Sequence, residues 1–220
     1  MRSFAPLLAL LLLWVPAVSH ALQPDRAFHH YVRDSWSVQQ GLPQISALSI
    51  AQDPDGYLWV GTQAGLGRFD GVRFVKFEPG SEPGLPGIWV RTLLTARDGR
   101  LWIGTYKGLA VYDGVGFVSV PAADAQRWPS LDVFDLAQDE AGTLWVATAA
   151  GLFHVQDGRL HAASGSPSPL QSVLARRDRL WVGTLGAVHR RTAQGWQGMP
   201  LPGEAASAPV NRLVGAQGHV

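Results

Sequence analysis

The side chains best suited to chemistry in this 220-residue chain are one pair of histidines, a set of aspartates and nine tryptophans. His29-His30 places two imidazoles together. No carboxylate or third histidine stands near them at ligand spacing, so the pair reads as part of a polar strand and no metal is assigned. Asp53, Asp55, Asp98 and Asp139 suggest acid–base pairs. They recur at turn-like wording, where Asp accepts hydrogen bonds from its own backbone, and turn chemistry is the simpler reading. The absence of Cys removes disulfides, thiolate metal sites and cysteine nucleophiles together. A P-loop, a Gly-x-Ser-x-Gly elbow and His-Glu-x-x-His are also missing. The reading therefore names no catalytic residue and no cofactor. What remains is recognition.

The elements that would position recognition residues repeat along the chain. Leu58-Trp59-Val60-Gly61-Thr62 returns as Leu101-Trp102-Ile103-Gly104-Thr105, Leu144-Trp145-Val146-Ala147-Thr148 and Leu180-Trp181-Val182-Gly183-Thr184. The tryptophans stand 43, 43 and 36 residues apart. Gly56, Gly99 and Gly142 precede the first three; Gly65-Leu66, Gly108-Leu109 and Gly151-Leu152 follow them. Asp70-Gly71, Asp113-Gly114 and Asp157-Gly158 come next, and such pairs favour tight hairpin turns. Each unit reads as four short strands; in the first these are Ile45 to Gln52, Tyr57 to Thr62, Leu66 to Phe69 and Val72 to Phe77. A four-stranded meander cannot bury both faces alone. Stacking such units around an axis buries each tryptophan between neighbours, which predicts an all-β propeller with four-stranded blades, rich in strand and nearly free of helix after residue 21. The fourth copy lacks an Asp-Gly turn, which leaves its outer strands without their signal.

Topology then says where to look. The loop after the second strand and the connection into the next blade open at the same end. They supply Gln63, Tyr106 and Lys107 from one loop class, and Gln44 and Trp89 from the other. These positions vary between repeats while the tryptophans do not, as expected of a recognition surface on a scaffold. They form the candidate ligand-binding set.

Composition bounds the rest. With 46% hydrophobic residues the chain is no disordered tail, and a net charge of +1 gives no reason to expect nucleic acid. Arg2, the apolar run from Phe4 to Val18 and the small residues of Ser19-His20-Ala21 have the anatomy of a secretory signal peptide over residues 1–21. The run is short of the roughly 20 residues that a membrane span needs. Residues 22–220 then form the propeller. Export without disulfides fits a bacterial periplasm. Phe28 to Gln44 resembles Phe74 to Gly87, so the N-terminal segment is expected to complete the last blade of a closed ring. Gln217-Gly218-His219-Val220 aligns with Asp55 to Leu58, just before a fifth tryptophan. The chain reads as an N-terminal fragment: about four blades and a partial fifth of a ring of about seven.

Asp34-Ser35-Trp36, Gly41-Leu42-Pro43-Gln44, Asp55 to Thr62, Gly65-Leu66 and Arg68-Phe69-Asp70-Gly71 together resemble the two-component-regulator propeller repeat. The resemblance covers essentially everything after Ala21 and is fullest in the first three units. It implies the periplasmic sensor region of a membrane-spanning bacterial receptor, either a hybrid histidine kinase or a diguanylate cyclase. Such a receptor carries a β-sandwich, one transmembrane helix and the output module downstream. It further implies a small molecule or oligosaccharide as ligand, a homodimer in the full receptor, and anchoring in the inner membrane only through the downstream segment. Sialidase-type Asp boxes and WD-type repeats fit worse. The contrasting expectation is an exported propeller enzyme acting on carbohydrate, which would need convergent carboxylates on one face.

Overall fold

The computed structural model describes residues 34–177 and 179–215. The expectations for the signal peptide, for His29-His30, for the strand from Phe28 and for Gln217 to Val220 lie outside these residues. The chain divides into two compact units, Met1–Ser35 and Trp36–Val220. Only Asp34 and Ser35 of the first are described, and the architecture here is that of the second.

Turn chemistry punctuates the strands as the sequence suggests. Asp70 Oδ1 accepts the N–H groups of Val72 and Arg73, each at 2.9 Å, and closes the loop between the third and fourth strands. Asp113 repeats this with Val115 and Gly116. In the third unit the turn tightens to Asp157-Gly158, with φ of 51° and 70° and Gln156 paired to Arg159. Both residues are left-handed there, which glycine adopts freely and Asp tolerates.

Sixteen strands result among the described residues, in four antiparallel four-stranded sheets. The first holds β1 (Ala47–Gln52), β2 (Leu58–Thr62), β3 (Gly65–Phe69) and β4 (Phe74–Phe77). The second holds β5 (Val90–Thr95), β6 (Leu101–Thr105), β7 (Gly108–Tyr112) and β8 (Phe117–Val120). The third holds β9 (Val133–Gln138), β10 (Leu144–Thr148), β11 (Gly151–Gln156) and β12 (Arg159–Ala162). The fourth holds β13 (Ser172–Arg176), β14 (Arg179–Gly183), β15 (Ala187–Thr192) and β16 (Gly195–Pro200). Each sheet runs in sequence order, a meander. The only helical pieces described are single 3₁₀ turns at Val38–Gln40 and Gly203–Ser207. Both outer strands of the fourth unit form despite the missing Asp-Gly, because Ala193-Gln194 makes a two-residue turn before Gly195, with Thr192 paired to Gly195.

The sheets stack with their first strands side by side: β1 beside β5, β5 beside β9, β9 beside β13. This is a β-propeller. Three apolar cores fill the gaps between blades. Trp59 is fully buried in the first gap, 5.0 Å from the Tyr112 ring and 6.2 Å from the Phe117 ring of the next blade. Trp102 is buried beside Phe153 and Leu160 of the third blade. Trp145 and Trp181 are half-buried, and Arg191 and Arg190 cross their rings at 5.4 and 5.6 Å. The glycine of the repeated phrase permits this stacking. A Cβ on Gly61 would come within 2.5 Å of Ser49 Oγ and 2.7 Å of Val90 Cγ1 on the next blade. The terminal threonine closes the following loop: the buried Thr62 hydroxyl donates to Gly65 O at 2.8 Å and accepts from Ala64 N–H at 3.1 Å. Thr148 does the same in the third blade.

Candidate ligand-binding site

Because every sheet is a meander, the β2–β3, β6–β7 and β10–β11 loops share one end of the propeller with the interblade connectors. The second of these loops meets the connector before β5. Tyr106 N–H donates to Trp89 O at 3.2 Å, and the Tyr106 ring lies where a side chain on Gly87 would intrude. Lys107 is exposed, its Nζ 5.3 Å from the Tyr106 ring centroid. The Lys107 carbonyl accepts the hydroxyl of Ser130 from the next connector at 3.2 Å. Trp89, Tyr106 and Lys107 thus gather at one edge. Gln63 is exposed at its own loop tip, and Gln44 Oε1 accepts the Ser46 N–H at 3.2 Å. Among the described residues no hydrogen bond joins either glutamine to the other three.

Behind Trp89 lies a constellation outside the loop set. Arg91, on β5, projects its guanidinium between the rings of Trp89 and Phe134, at 4.3 and 4.5 Å from their centroids. Arg91 Nη2 donates to Asp132 Oδ2 at 3.0 Å, a bond that ties the second blade to the connector entering the third. Two flanking π-faces and one carboxylate hold a planar fork in place. Three polar atoms in this cluster are buried without a protein partner: Trp89 Nε1, Arg91 Nε and Asp132 Oδ1. Buried polar groups are nearly always satisfied, so such a cluster marks either water or a ligand. Burial raises the Asp132 carboxyl above its ordinary pKa, and the Arg91 charge opposes that shift.

Arg91 and Phe134 also line the axial cavity between the first strands, about 680 Å³ in volume, with Asp135, Asn211 and Arg212. Burial pushes the Asp135 carboxyl up to about 6, while the N–H groups of Val173 and Leu136 and the charge of Arg212 act the other way. Asp135 Oδ2 accepts Val173 N–H from the fourth blade, and Oδ1 accepts Leu136 N–H, each at 2.9 Å. In the other blades the position opposite the repeat glycine holds Ser49, Thr92 or Ser172.

Arg91, Asp132 and Phe134 carried a usable signal. Arg91 falls where the flanking repeats have Leu48 and Phe134, and Trp89 where they have Ser46 and Asp132. Variation between repeats, applied to the loops alone, found Trp89 but passed over its counterpart Asp132 in the next connector, and it did not reach Arg91 and Phe134 on the first strands.

Three segments of the chain, 41–64, 84–107 and 128–150, match the family model described as two component regulator propeller. No curated protein matches the chain in sequence. Among solved structures it is similar to two extracellular domains of B. thetaiotaomicron, each described as part of a hybrid two component system. The first has a TM-score of 0.67 and 23% identity over 78% of this chain and 27% of that one. The second has 0.62 and 20% over 74% and 23%. A catalytically inactive virginiamycin B lyase from Staphylococcus aureus is similar at a TM-score of 0.60 and 15% identity, over 76% of this chain and 59% of that one. The chain therefore spans about a quarter of the length of the first two, and at these identities the likeness is one of fold.

Proposed function

From three segments that match the two component regulator propeller model, we propose an extracytoplasmic ligand-sensing domain, non-catalytic in itself, belonging to a bacterial signalling receptor. The receptor would sit in the inner membrane as a homodimer, with this propeller in the periplasm and a histidine kinase or diguanylate cyclase as output. The observation that carries the reading is the Trp89–Arg91–Asp132–Phe134 cluster, in which three buried polar atoms have no protein partner, beside loops that differ between repeats. Gln44, Gln63, Tyr106 and Lys107 form the outer part of the proposed surface. A ligand held there would touch two blades at once, and by binding one blade arrangement more tightly it would shift the receptor's population.

The exported-enzyme reading needs a carboxylate free to exchange protons with a glycosidic bond. Asp132 is paired with Arg91, and both Asp135 oxygens accept backbone N–H groups, which favours binding over catalysis. The test is thermal-shift screening of the chain against a panel of mono- and oligosaccharides and amino acids, repeated on Arg91→Gln and Tyr106→Ala. A stabilising compound whose effect falls in both variants supports the site. Stabilisation unchanged in both would overturn it. Coding sequence following this segment gives a second test: one membrane span and then a kinase or cyclase signature is the expected result.

A further inference from the structure

The seam between the third and fourth blades departs from the others at one pair of facing positions. In the first, second and fourth blades a glycine on the second strand faces a hydroxyl residue on the first: Gly61 opposite Ser49, Gly104 opposite Thr92, Gly183 opposite Ser172. These glycines let the following segment lie close. A Cβ on Gly104 would come within 2.5 Å of Thr92 Cγ2 and 2.6 Å of Val133 Cγ1 on the next blade. The third blade has Ala147 opposite Asp135 instead. Its methyl group is fully buried in one core with Val173 and Val182 of the fourth blade, a place that the spacing at Gly104 would not admit. The third seam is built wider, and its first strand carries an ionisable group.

The link across the seam also runs the other way. Ser172, at the same place in the fourth blade, donates its hydroxyl to Val210 O at 2.6 Å. Asp135 accepts instead: Oδ2 takes the Val173 N–H of the fourth blade, and Oδ1 takes the Leu136 N–H of its own strand. A hydroxyl makes its link in one charge state, whereas a carboxyl has two. Among the described residues no salt bridge reaches Asp135. The charged side chains that line the axial cavity with it are Arg91 on β5, already bound to Asp132, and Arg212 in the segment after β16. From β10 no charged side chain faces it, and β13 has only Arg176, three residues beyond Val173. Loss of water disfavours the ionised form more than Arg212 and the two N–H groups favour it, so the carboxyl titrates above its ordinary range. Phe134, which flanks Arg91 in the candidate site, immediately precedes Asp135 on β9.

We propose that Asp135 makes this seam proton-dependent: closed while the carboxyl holds its proton, and loosened as the carboxyl ionises and takes up water. The sign follows from linkage. A carboxyl whose pKa in the closed seam lies above its hydrated value stabilises the closed form at low pH, and that contribution is lost as pH rises through the closed-seam value. The proposal concerns blade packing and stands apart from the sensor reading. The test is hydrogen–deuterium exchange of the full chain at about pH 5 and about pH 7, corrected for intrinsic amide rates, with global unfolding measured by denaturant under the same conditions. The Val173 amide should exchange through an opening more frequent than global unfolding. That opening should be about tenfold more frequent at the higher pH, the ratio for a carboxyl titrating at about 6 when closed and at 3.8 when hydrated. Asp135→Ser, which restores the hydroxyl of the other blades, and Asp135→Asn, which keeps an uncharged acceptor, should each remove the pH dependence. If Asp135→Asn fails to fold, Asp135→Ser carries the comparison. Exchange of Val173 at the global rate, equal exchange at the two pH values, or a pH dependence that persists in Asp135→Ser would overturn the proposal.

Discussion

Replacing Asp53 by Ala tests how the turn and the tryptophan of a blade are joined. Asp53 Oδ1 accepts Tyr57 N–H at 2.9 Å, and Oδ2 accepts Trp59 Nε1–H at 2.7 Å. Trp59 is fully buried, so the truncation leaves its indole N–H with neither acceptor nor water. Hydrogen bonds to a charged acceptor contribute about 1.5–3 kcal/mol each, and an orphaned buried donor costs about 1–3. Relief from holding a partly buried carboxylate offsets some of that loss, which sets the expected destabilisation at about 2–4 kcal/mol. The second blade supplies an internal control. There Ala96 occupies the same place, and the turn still forms through Ala96 N–H to Arg100 O and Gly99 N–H to Ala96 O, each at 2.9 Å. The loss in Asp53→Ala should therefore come from the clamp on Trp59 rather than from the turn itself. Urea unfolding followed by tryptophan fluorescence and far-ultraviolet circular dichroism gives the midpoint at constant slope. Asp53→Asn, which keeps one acceptor oxygen, should fall between parent and Ala variant. Asp55→Ala, exposed in the same turn, should stay within about 0.5 kcal/mol. An Asp53→Ala midpoint no lower than that of Asp55→Ala would refute the clamp.

Other outcomes follow from the same contacts. Asp135 titrates near 6 in the folded chain, above its ordinary 3.8, so the native state binds the extra proton between those values. Its contribution is thus fully present below about 4 and is lost as pH rises through 6, and Asp135→Ser should flatten the slope of unfolding midpoint against pH in that window. Trp102→Ala should cost about 3–5 kcal/mol by emptying the second gap, and the half-buried Trp181→Ala should cost less, both read from denaturant midpoints. Gly61→Ala should destabilise by about 1–3 kcal/mol, since the new methyl meets Ser49 and Val90. Lys107→Ala should leave stability within about 0.5 kcal/mol, whereas Tyr106→Ala, whose ring packs against Gly87, should lower it measurably. Equal melting of these last two variants would show that the loop tip does not pack as described.

How far the sequence reaches can be judged residue by residue. Asp53 and Asp139 are legible as turn residues, since an Asp four positions before its amide partner acts through local geometry. Their second oxygens bind an indole six residues on, which depends on the register of two strands. The loop residues Trp89 and Tyr106 are legible as neighbours from meander topology alone. Arg91 and Asp132 are 41 residues apart, and nothing local to either predicts that they pair.

By itself, then, the sequence determined the blade: four short strands, the turns between them, the repeating tryptophans and the end at which variable residues collect. Those features follow from a two-residue side-chain period and from turns whose backbone needs are met within a few residues. Tertiary structure alone decided what lies between blades. Whether a tryptophan is sealed like Trp59, under Tyr112 and Phe117, or left half-buried like Trp145, under Arg191, depends on side chains brought in from the next repeat. So does the raised Asp135 carboxyl, since burial is a property of the stacked pair of sheets and of neither strand. A cavity of about 560 Å³ between the third and fourth blades exists because two residues join β13 to β14 where five join β9 to β10, and only packing turns that difference into space.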